Sequence, residues 1–267
     1  MIPSLSRIES EVVKNLLAVI FDIDDTFTTH GKITAVAFQA LWQLKEHGLK
    51  AVPITGRPAG WCDHIARMWP VDGIVGENGA FYFWFDEKEK KLRKRFFDSE
   101  EVRTEKKERL NRIREEVLAT IPGAAVAGDQ LYREADLAID YCEDVAPLDR
   151  QAVNRICDVF KKHGAACKVS SIHVNGWFGD YDKLEMLKAY VEERWGLDLE
   201  ACKERFLFCG DSPNDEPLFA YFPHTVGVKT ILRFADQMTH LPAYMADRAG
   251  GEGFADVVAY IIGLRSG

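Results

Sequence analysis

Apolar runs begin at Leu16 and at Phe206, and each run ends in a group of acidic side chains. The acidic residues are Asp22, Asp24 and Asp25 after the first run, and Asp211 and Asp215 after the second. Runs of this kind suit strands that are buried on both faces of a sheet. Open α/β sheets bind ligands where such strands end. Carboxylates crowded at one crevice repel each other, and a bound divalent cation offsets that repulsion.

The elements around the first run repeat a strand–helix–strand order. Thr34 is placed to cap a helix that runs to about His47, and Gly48 is placed to end it. The next predicted elements are a buried strand at 49–54, a short helix at 60–68 and a third strand at 73–75. This order is typical of parallel strands joined by right-handed crossovers. The fold class is therefore predicted as α/β, with a doubly wound, Rossmann-like parallel sheet.

The pattern changes after Ala80 and returns near Tyr181. The stretch between them mixes hairpins and helices, which is typical of an α+β unit. Its predicted strands are 81–85, 92–97, 124–127, 135–141 and 166–174, and its predicted helices are 99–120 and 148–163. Later helices are predicted at 183–195, near 215 and at 254–263, with strands at 206–210, 226–228 and 244–246. The sequence thus predicts a core at 1–83 and 177–267, interrupted by an inserted α+β cap at 84–176.

Composition narrows the class of protein. The chain has 267 residues, 47% of them hydrophobic, which is enough for a sizeable core. Its net charge of −8 disfavours a nucleic-acid or anionic-membrane binder, which needs a basic face. We find no apolar run long enough for a membrane span and no secretory signal at the N-terminus. The six cysteines lack metal-site spacing and are expected to be free thiols in the cytoplasm.

Four motifs occur in the order found in one enzyme superfamily. They are Asp22-Ile23-Asp24-Asp25-Thr26, Thr55-Gly56-Arg57, Lys183, and Gly210-Asp211-Ser212-Pro213-Asn214-Asp215. In this order they resemble the motifs of the haloacid dehalogenase (HAD) superfamily. The insertion lies between the second and third motifs, as in the type II (IIB) cap group of Cof-like and sucrose-phosphatase-like phosphatases. The stretch Glu77-Asn78-Gly79-Ala80 is also similar to a sequence common in that group.

The resemblance implies a nucleophile and a general acid. Asp22 would attack a phosphoryl group and form an aspartyl-phosphate, which splits one difficult hydrolysis into two easier steps. Asp24 corresponds to the residue that protonates the leaving oxygen and then activates water. Dehalogenases of the superfamily lack this acid and the transport ATPases have threonine there. An aspartate therefore implies phosphomonoester hydrolysis, or phosphoryl transfer between sugar positions.

The resemblance also implies a Mg²⁺ site. Its ligands would be the Asp22 side chain, the backbone carbonyl of Asp24, and Asp211. Asp215 would hold a metal-bound water, or would serve as a carboxylate at a helix N-terminus, and both roles are compatible. Asp25 stands where many relatives have glycine, and it is expected to face away, to pair with a cation or to tune metal affinity.

A second group of residues is expected to bind the phosphoryl group. These residues are Thr55 through its hydroxyl, Gly56 through its N–H, Lys183 through its ammonium group, and Asn214. Thr55 and Lys183 are counted as catalytic, because donors aimed at transition-state charge lower the barrier most. Arg57 is expected either to bind substrate or to pair with an acid of the core.

Residues near the end of the insertion are candidates for substrate recognition. His173 is either a binding residue or a strand residue without function, and Asn175 can hydrogen-bond hydroxyl groups. Trp177 either stacks on a sugar face or packs in the hinge. Arg133 is a candidate for a second anionic group. The aromatic strand at 81–85 is expected to be buried in the cap or in a dimer.

The sequence therefore predicts a Mg²⁺-dependent phosphomonoester hydrolase of small phosphorylated metabolites, with sugar phosphates as the favoured substrates. Two alternatives stay open at this point. One is a phosphosugar mutase of the phosphomannomutase kind, which keeps the phosphoryl group on its product. The other is a non-catalytic phosphometabolite-binding protein on the same fold, against which the presence of Asp22, Asp24, Lys183 and Asp211 argues. Neither the substrate nor the oligomeric state follows from the sequence.

Overall fold

A computed structural model describes residues 2–170 and 172–266 of the chain. Its strands are β1 (Ala18–Phe21), β2 (Thr28–Thr29), β3 (Lys32–Ile33), β4 (Lys50–Pro53), β5 (Ile74–Gly76), β6 (Phe81–Asp86), β7 (Lys91–Phe96), β8 (Ala125–Val126), β9 (Leu137–Asp140), β10 (Ala166–Val169), β11 (His173–Trp177), β12 (Phe206–Gly210), β13 (His224–Gly227) and β14 (Tyr244–Met245). Its helices are α1 (Ser10–Asn15), α2 (Ala35–Glu46), α3 (Ala59–Met68), α4 (Glu100–Thr120), α5 (Arg150–Lys162), α6 (Lys183–Trp195), α7 (Leu199–Cys202), α8 (Glu216–Tyr221) and α9 (Gly250–Ser266).

A five-stranded sheet carries the acidic motifs, in the order β14-β13-β12-β1-β4. All of its neighbouring strands are parallel. All four residues of β1 are buried, which fits a strand covered on both faces. Val19 and Phe21 belong to the apolar cluster with α2 and α9, whereas Ala18 and Ile20 belong to the cluster with α6. The predicted doubly wound α/β fold is confirmed.

Helix α6 begins and ends where the sequence predicts. The Asp182 carboxylate accepts a hydrogen bond from the Glu185 N–H at 2.9 Å, which caps the first turn. Gly196, with a φ of +65°, ends the helix in the left-handed conformation that glycine favours. The cap makes Lys183 the first residue of the helix and places its side chain beneath the ends of β1 and β12.

Strand β5 departs from the expected parallel pairing. It pairs antiparallel with β6, and a single parallel bridge between Ile54 and Val75 joins it to the end of β4. The cause is the tight turn directly after β5, where Glu77 and Asn78 both have positive φ angles. This turn reverses the chain, so β6 lies beside β5 and the two form a separate sheet with β7.

The aromatic strand β6 is buried within the chain itself. Phe81, Tyr82 and Phe83 are each at most 1% exposed. Tyr82 packs with the cluster around α6, and Phe81 and Phe83 pack with the cluster around α3. The Tyr82 hydroxyl donates a hydrogen bond to Glu193 at 2.6 Å. Partners within this chain therefore cover the aromatic residues that the sequence assigned to the cap or to a dimer.

A second sheet is antiparallel, in the order β10-β11-β9-β8, and α4 and α5 cover one of its faces. The prediction of a single strand at 166–174 is wrong, because the chain reverses between β10 and β11. Ser170 supports the reversal, since its N–H donates to the His173 carbonyl at 2.8 Å and its hydroxyl accepts from the His173 N–H at 2.9 Å. Lys168 consequently lies directly opposite Asn175.

The last helix begins at Gly250, four residues before its predicted start at Phe254. Glycine disfavours helices, but here it permits close packing. A Cβ atom at Gly250 would lie 2.7 Å from the Thr28 carbonyl, and one at Gly251 would lie 2.7 Å from the Phe27 carbonyl. The first turn of α9 can therefore press against the loop that follows β1. The short elements α1, β2 and β3 are also absent from the sequence prediction, because they are too short to show a period.

No helix in the described part of the chain combines the length and apolarity needed to cross a bilayer.

We expect Gly79→Ala to destabilise the fold far more than Gly48→Ala. Both glycines have positive φ angles, so alanine strains the backbone at either position. Only at Gly79 would the new Cβ collide with backbone, 2.0 Å from the Asp182 carbonyl, whereas nothing lies within 4 Å at Gly48. Urea unfolding should show a loss of about 1 kcal/mol for Gly48→Ala and at least about 3 kcal/mol for Gly79→Ala. Equal losses would contradict the packing of this turn against α6.

Candidate active site

A cavity of about 490 Å³ opens where the strands of the parallel sheet end. The loops after β1, β4 and β12 form its floor, and residues from β10 and β11 form part of the opposite wall. This is the edge at which parallel sheets bind ligands, and the volume lies within the usual range for small-molecule sites. The parallel-sheet core and the inserted part of the chain therefore both contribute residues to this pocket.

Lys183 lies between two acids beneath the floor of this cavity. Its Nζ is 2.8 Å from Asp22 Oδ1 and 2.9 Å from Asp215 Oδ1. All three side chains are buried. Burial alone would lower the pKa of Lys183, but Asp215 and Asp22 raise it above its ordinary value. The lysine thus stays charged and ties α6 to the ends of β1 and β12.

The carboxylates outnumber the cation in this cluster. Oxygen atoms of Asp22, Asp211 and Asp215 all lie within 4.8 Å of one another. Burial, opposed by Lys183 and reinforced by Asp215 and Asp24, raises the pKa of Asp22 to about 8. Burial, followed by the charges of Asp215 and Asp22, raises the pKa of Asp211 well above its ordinary range. Three buried carboxylates sharing one ammonium group are a donor set that fits a hard divalent cation.

Hydrogen bonds hold the acids in place. Thr26 Oγ1 donates to Asp211 Oδ1 at 3.0 Å. Asp215 Oδ2 accepts from the Asp211 N–H at 3.1 Å and, with Ser212, forms a capping box at the start of the following turn. Asp215 therefore combines the expected carboxylate at a helix N-terminus with a place in the acidic cluster. The positioning contact of Thr26 was not predicted, although Thr26 stands in the motif that the sequence singles out.

The Asp24 carboxylate pairs with Arg57 and not with Lys183. Arg57 holds its carboxylate through three hydrogen bonds of 2.7 to 3.0 Å, two from Nε and one from Nη2. Of the two roles expected for Arg57, the structure therefore shows the pair with a core acid. The guanidinium also stacks over Trp61, 4.5 Å from the ring centroid. Asp24 and Arg57 both line the cavity.

Of the other residues expected to contact the phosphoryl group, two line the cavity and one is buried beneath its surface. Gly56 and Asn214 line the cavity. Asn214 Oδ1 is buried without a hydrogen-bond partner among the described residues. Thr55 is fully buried beneath this surface, and its hydroxyl accepts a hydrogen bond from the Arg57 N–H at 3.0 Å. This bond leaves the hydroxyl proton of Thr55 free to be donated.

Asp25 adopts a left-handed backbone with a φ of +56°, the conformation that glycine takes most readily. This explains why an aspartate can replace the glycine of many relatives. Its side chain lines the cavity and is half-buried.

The residues predicted in the insertion divide into two groups. His173 and Asn175 line the cavity. Asn175 Nδ2 donates to Asp136 at 2.9 Å, and burial together with Arg133 lowers the pKa of the His173 ring. Trp177 is only 3% exposed and stacks on Tyr181, so it packs in the hinge rather than in the cavity.

Arg133 is not free to bind a ligand anion. Its guanidinium pairs with Asp129 and Asp136 at 2.9 Å, and Nη1 also donates to the Gly56 carbonyl at 3.1 Å. A buried salt bridge of the insertion thus touches the loop that carries Thr55 and Gly56.

Glu77 is a buried acid whose role the sequence did not reveal. Its carboxylate accepts hydrogen bonds from the N–H groups of Ala59, Glu134, Ala135 and Asp136. Burial and Asp136 raise the pKa of Glu77 to about 8, and Arg133 and the backbone donors oppose that shift. One side chain thus fixes the insertion to the start of α3. No local pattern predicts this, because the donors lie on distant backbone.

The comparisons with known proteins agree with this architecture. A family model described as haloacid dehalogenase-like hydrolase matches residues 19–132. Among curated proteins, none matches the sequence. A solved structure of protein 0175 from Thermoplasma acidophilum superposes with a TM-score of 0.71 at 18% identity, covering 92% of this chain and 98% of that one.

Two further solved structures share the fold at low identity. The sucrose-phosphatase of Synechocystis sp. PCC6803, solved with sucrose and phosphate, gives a TM-score of 0.62 at 16% identity, covering 92% of this chain and 98% of that one. A protein from Plasmodium vivax described as a HAD/COF-like hydrolase gives 0.66 at 14% identity, covering 95% and 98%.

The fold defines the class as α/β, and the part of the chain from residue 19 to residue 132 is similar to haloacid dehalogenase-like hydrolases. Over most of its length, the chain shares its fold with solved structures that include protein 0175 of Thermoplasma acidophilum and the HAD/COF-like hydrolase of Plasmodium vivax.

We expect Glu77→Ala to destabilise the protein, because four buried backbone N–H groups would lose their acceptor. The loss of unfolding free energy at pH 5 should be about 3 kcal/mol. The pKa of Glu77 rises on folding from 4.5 to about 8. Its contribution to stability is therefore full below pH 4.5 and declines as the pH rises towards 8. Urea unfolding at several pH values measures both effects.

The matched control for this substitution is Glu134→Ala. The Glu134 side chain is 43% exposed, and its pair with Lys107 lies at the surface, so the change should be within about 0.5 kcal/mol. A loss at Glu77 no larger than at Glu134 would show that the carboxylate does not hold the insertion.

Proposed function

We propose that the protein is a Mg²⁺-dependent phosphatase that hydrolyses small phosphomonoesters, with sugar phosphates as the favoured class. The contact of Lys183 with Asp22, in a buried cluster of acids beneath the cavity, carries the proposal. The haloacid dehalogenase-like hydrolase family supports it, and so does the shared fold of the sucrose-phosphatase.

In the proposed first step, an oxygen of Asp22 attacks phosphorus and the bond from phosphorus to the leaving oxygen breaks. Lys183 lies 2.8 Å from Asp22 and can neutralise charge that develops on the phosphoryl group. The Thr55 hydroxyl and the Gly56 N–H would donate hydrogen bonds to the same group. Bound Mg²⁺, held by Asp22, Asp24, Asp211 and Asp215, would supply further neutralisation of the phosphoryl oxygens.

Asp24 would give a proton to the leaving oxygen and then take one from the attacking water. Its carboxylate accepts hydrogen bonds from Arg57, so this pair must open before Asp24 can contact the leaving oxygen. A phosphoryl group can compete for the guanidinium and release the carboxylate. Arg57 would in this way serve both of the roles that the sequence left open.

The proposal assigns catalysis and substrate choice to different parts of the chain. Catalysis is assigned to a core at 1–83 and 177–267, and substrate choice to a cap at 84–176, where His173 and Asn175 face the cavity. We also propose a cytoplasmic location, since Cys62, Cys157, Cys167, Cys202 and Cys209 form no disulfide among the described residues.

The first test is phosphate release from a panel of sugar phosphates and p-nitrophenyl phosphate, with Mg²⁺ and with EDTA. We expect release that needs Mg²⁺ and that falls at least about 10³-fold in Asp22→Asn. The control is Asp63→Asn, an acid that pairs with Arg67 and Lys94 outside the cavity and should leave the rate within about twofold.

Other outcomes of this assay have definite meanings. Release that EDTA does not affect would contradict the metal assignment. Conversion of a sugar phosphate into an isomer without free phosphate would identify a mutase instead.

Asp24→Asn separates the two chemical steps. p-Nitrophenolate leaves without a proton, so formation of the aspartyl-phosphate should persist, whereas its hydrolysis needs the base and should slow about 10²-fold or more. Stopped-flow absorbance should show a burst of p-nitrophenolate of about one equivalent per protein, followed by slow turnover. Loss of the burst together with the steady rate would contradict a role for Asp24 in the second step.

A further inference from the structure

Four cationic side chains line the cavity among the residues that the structure describes, and two of them are already neutralised. Arg57 is held by Asp24, and Arg133 is held by Asp129 and Asp136. The other two are Lys168 and Arg233. Neither makes an ion pair or a side-chain hydrogen bond with any described residue, and this sets them apart from the cations nearer the acidic cluster.

Lys168 lies on the wall formed by the insertion. It is the direct cross-strand partner of Asn175, so the two side chains share the face of the sheet that looks into the cavity. The lysine is half-buried. A desolvated ammonium group without an acid is unfavourable. Burial, and then the charge of Lys183, lower the pKa of Lys168, as expected for a cation without a partner.

Arg233 lines the same cavity from the other side. It ends the 3₁₀ segment Lys229–Arg233, which follows β13, and its side chain is exposed. An arginine at an open rim can bind a carboxylate or a phosphate in a bidentate manner. The remaining acid of the wall, Asp25, forms no ion pair with Arg233 or with Lys168 in the described structure.

Negative and positive side chains therefore lie in different parts of the cavity. The floor holds the acids that the proposed chemistry uses, whereas the upper walls present two cations without counter-charges. A phosphomonoester with no other charge would leave both cations without a partner.

We propose, on the basis of the phosphatase function above, that the substrate carries a second oxyanion, which Lys168 and Arg233 bind. This narrows the favoured class from sugar phosphates in general to phosphomonoesters that carry a second anion, such as a phosphorylated acid or a bisphosphate. Lys168 and Arg233 act on substrate selection and not on the transferred phosphoryl group. Arg133, the cation that the sequence favoured for a second anionic group, has a structural role instead.

The test compares matched phosphomonoesters that differ in the second anion. The pairs are 3-phosphoglycerate with glycerol 3-phosphate, 6-phosphogluconate with glucose 6-phosphate, and fructose 1,6-bisphosphate with fructose 6-phosphate. In at least one pair, kcat/KM of the acidic member should be higher by about tenfold or more. A preference in the first two pairs assigns a carboxylate, and a preference in the third alone assigns a phosphate.

Substitution of each cation tests whether it is responsible for the preference for the acidic substrate. Lys168→Gln and Arg233→Gln should each reduce the preference by about tenfold, mainly through KM. Both should leave the rate with p-nitrophenyl phosphate within about twofold. Lys161→Gln, at an exposed lysine of α5 outside the cavity, is the control and should keep the preference. Thermal unfolding of each variant checks that the fold is intact.

Two results would overturn the proposal while leaving the phosphatase in place. One is p-nitrophenyl phosphate hydrolysis without a preference for any acidic member. The other is an equal loss with p-nitrophenyl phosphate in Lys168→Gln, which would place Lys168 at the transferred phosphoryl group.

If no compound is hydrolysed, the phosphatase proposal fails and calorimetric titration of the same pairs still tests the site. Tighter binding of an acidic member that Lys168→Gln abolishes supports the site, and equal binding of both members contradicts it.

Discussion

The buried contact of Lys183 with Asp22 and Asp215 is the interaction on which the rest of the site depends. It joins three segments that are far apart in the sequence, namely the end of β1, the start of α6 and the turn after β12. Breaking a buried charge pair by removing one partner commonly costs about 3–5 kcal/mol, because the other charge stays buried. The acids nevertheless exceed the single ammonium group, and in the proposed mechanism this excess of negative charge binds a divalent cation. The charged groups that stabilise this part of the fold are therefore the same groups that the proposed reaction uses.

A second constraint joins the insertion to the catalytic loops. The Glu77 carboxylate holds backbone N–H groups of residues 134–136, and Arg133 of the same segment donates to the Gly56 carbonyl. Asp136 links Arg133 to Asn175 on the cavity wall. The wall that would contact substrate is therefore connected through buried hydrogen bonds to the loop that would bind the phosphoryl group. Movement of the insertion would disturb that loop, so the proposed substrate wall and the proposed phosphoryl-binding loop are structurally coupled.

The sequence predicts the core well because local signals and burial agree there. Apolar runs that end in acids define β1 and β12, and Asp182 and Gly196 define the ends of α6. The insertion is harder to predict, because Ala166 to Val174 looks like one strand although Ser170 supports a reversal within it. A prediction of one strand cannot contain the pairing of β10 with β11. That pairing is what places Lys168 opposite Asn175. Glu77 escaped prediction for another reason, since its partners are backbone groups that no side-chain pattern marks.

The central claim is that Asp22 accepts the phosphoryl group while Lys183 and the neighbouring acids position it. The most direct measurement is acid quenching of the protein during turnover of p-nitrophenyl phosphate with Mg²⁺, followed by proteolysis and mass spectrometry of the peptides. The account predicts one added phosphoryl group on the peptide that contains Asp22, and on no other peptide. A phosphoryl group on a different residue, or active turnover in Asp22→Asn, would contradict it.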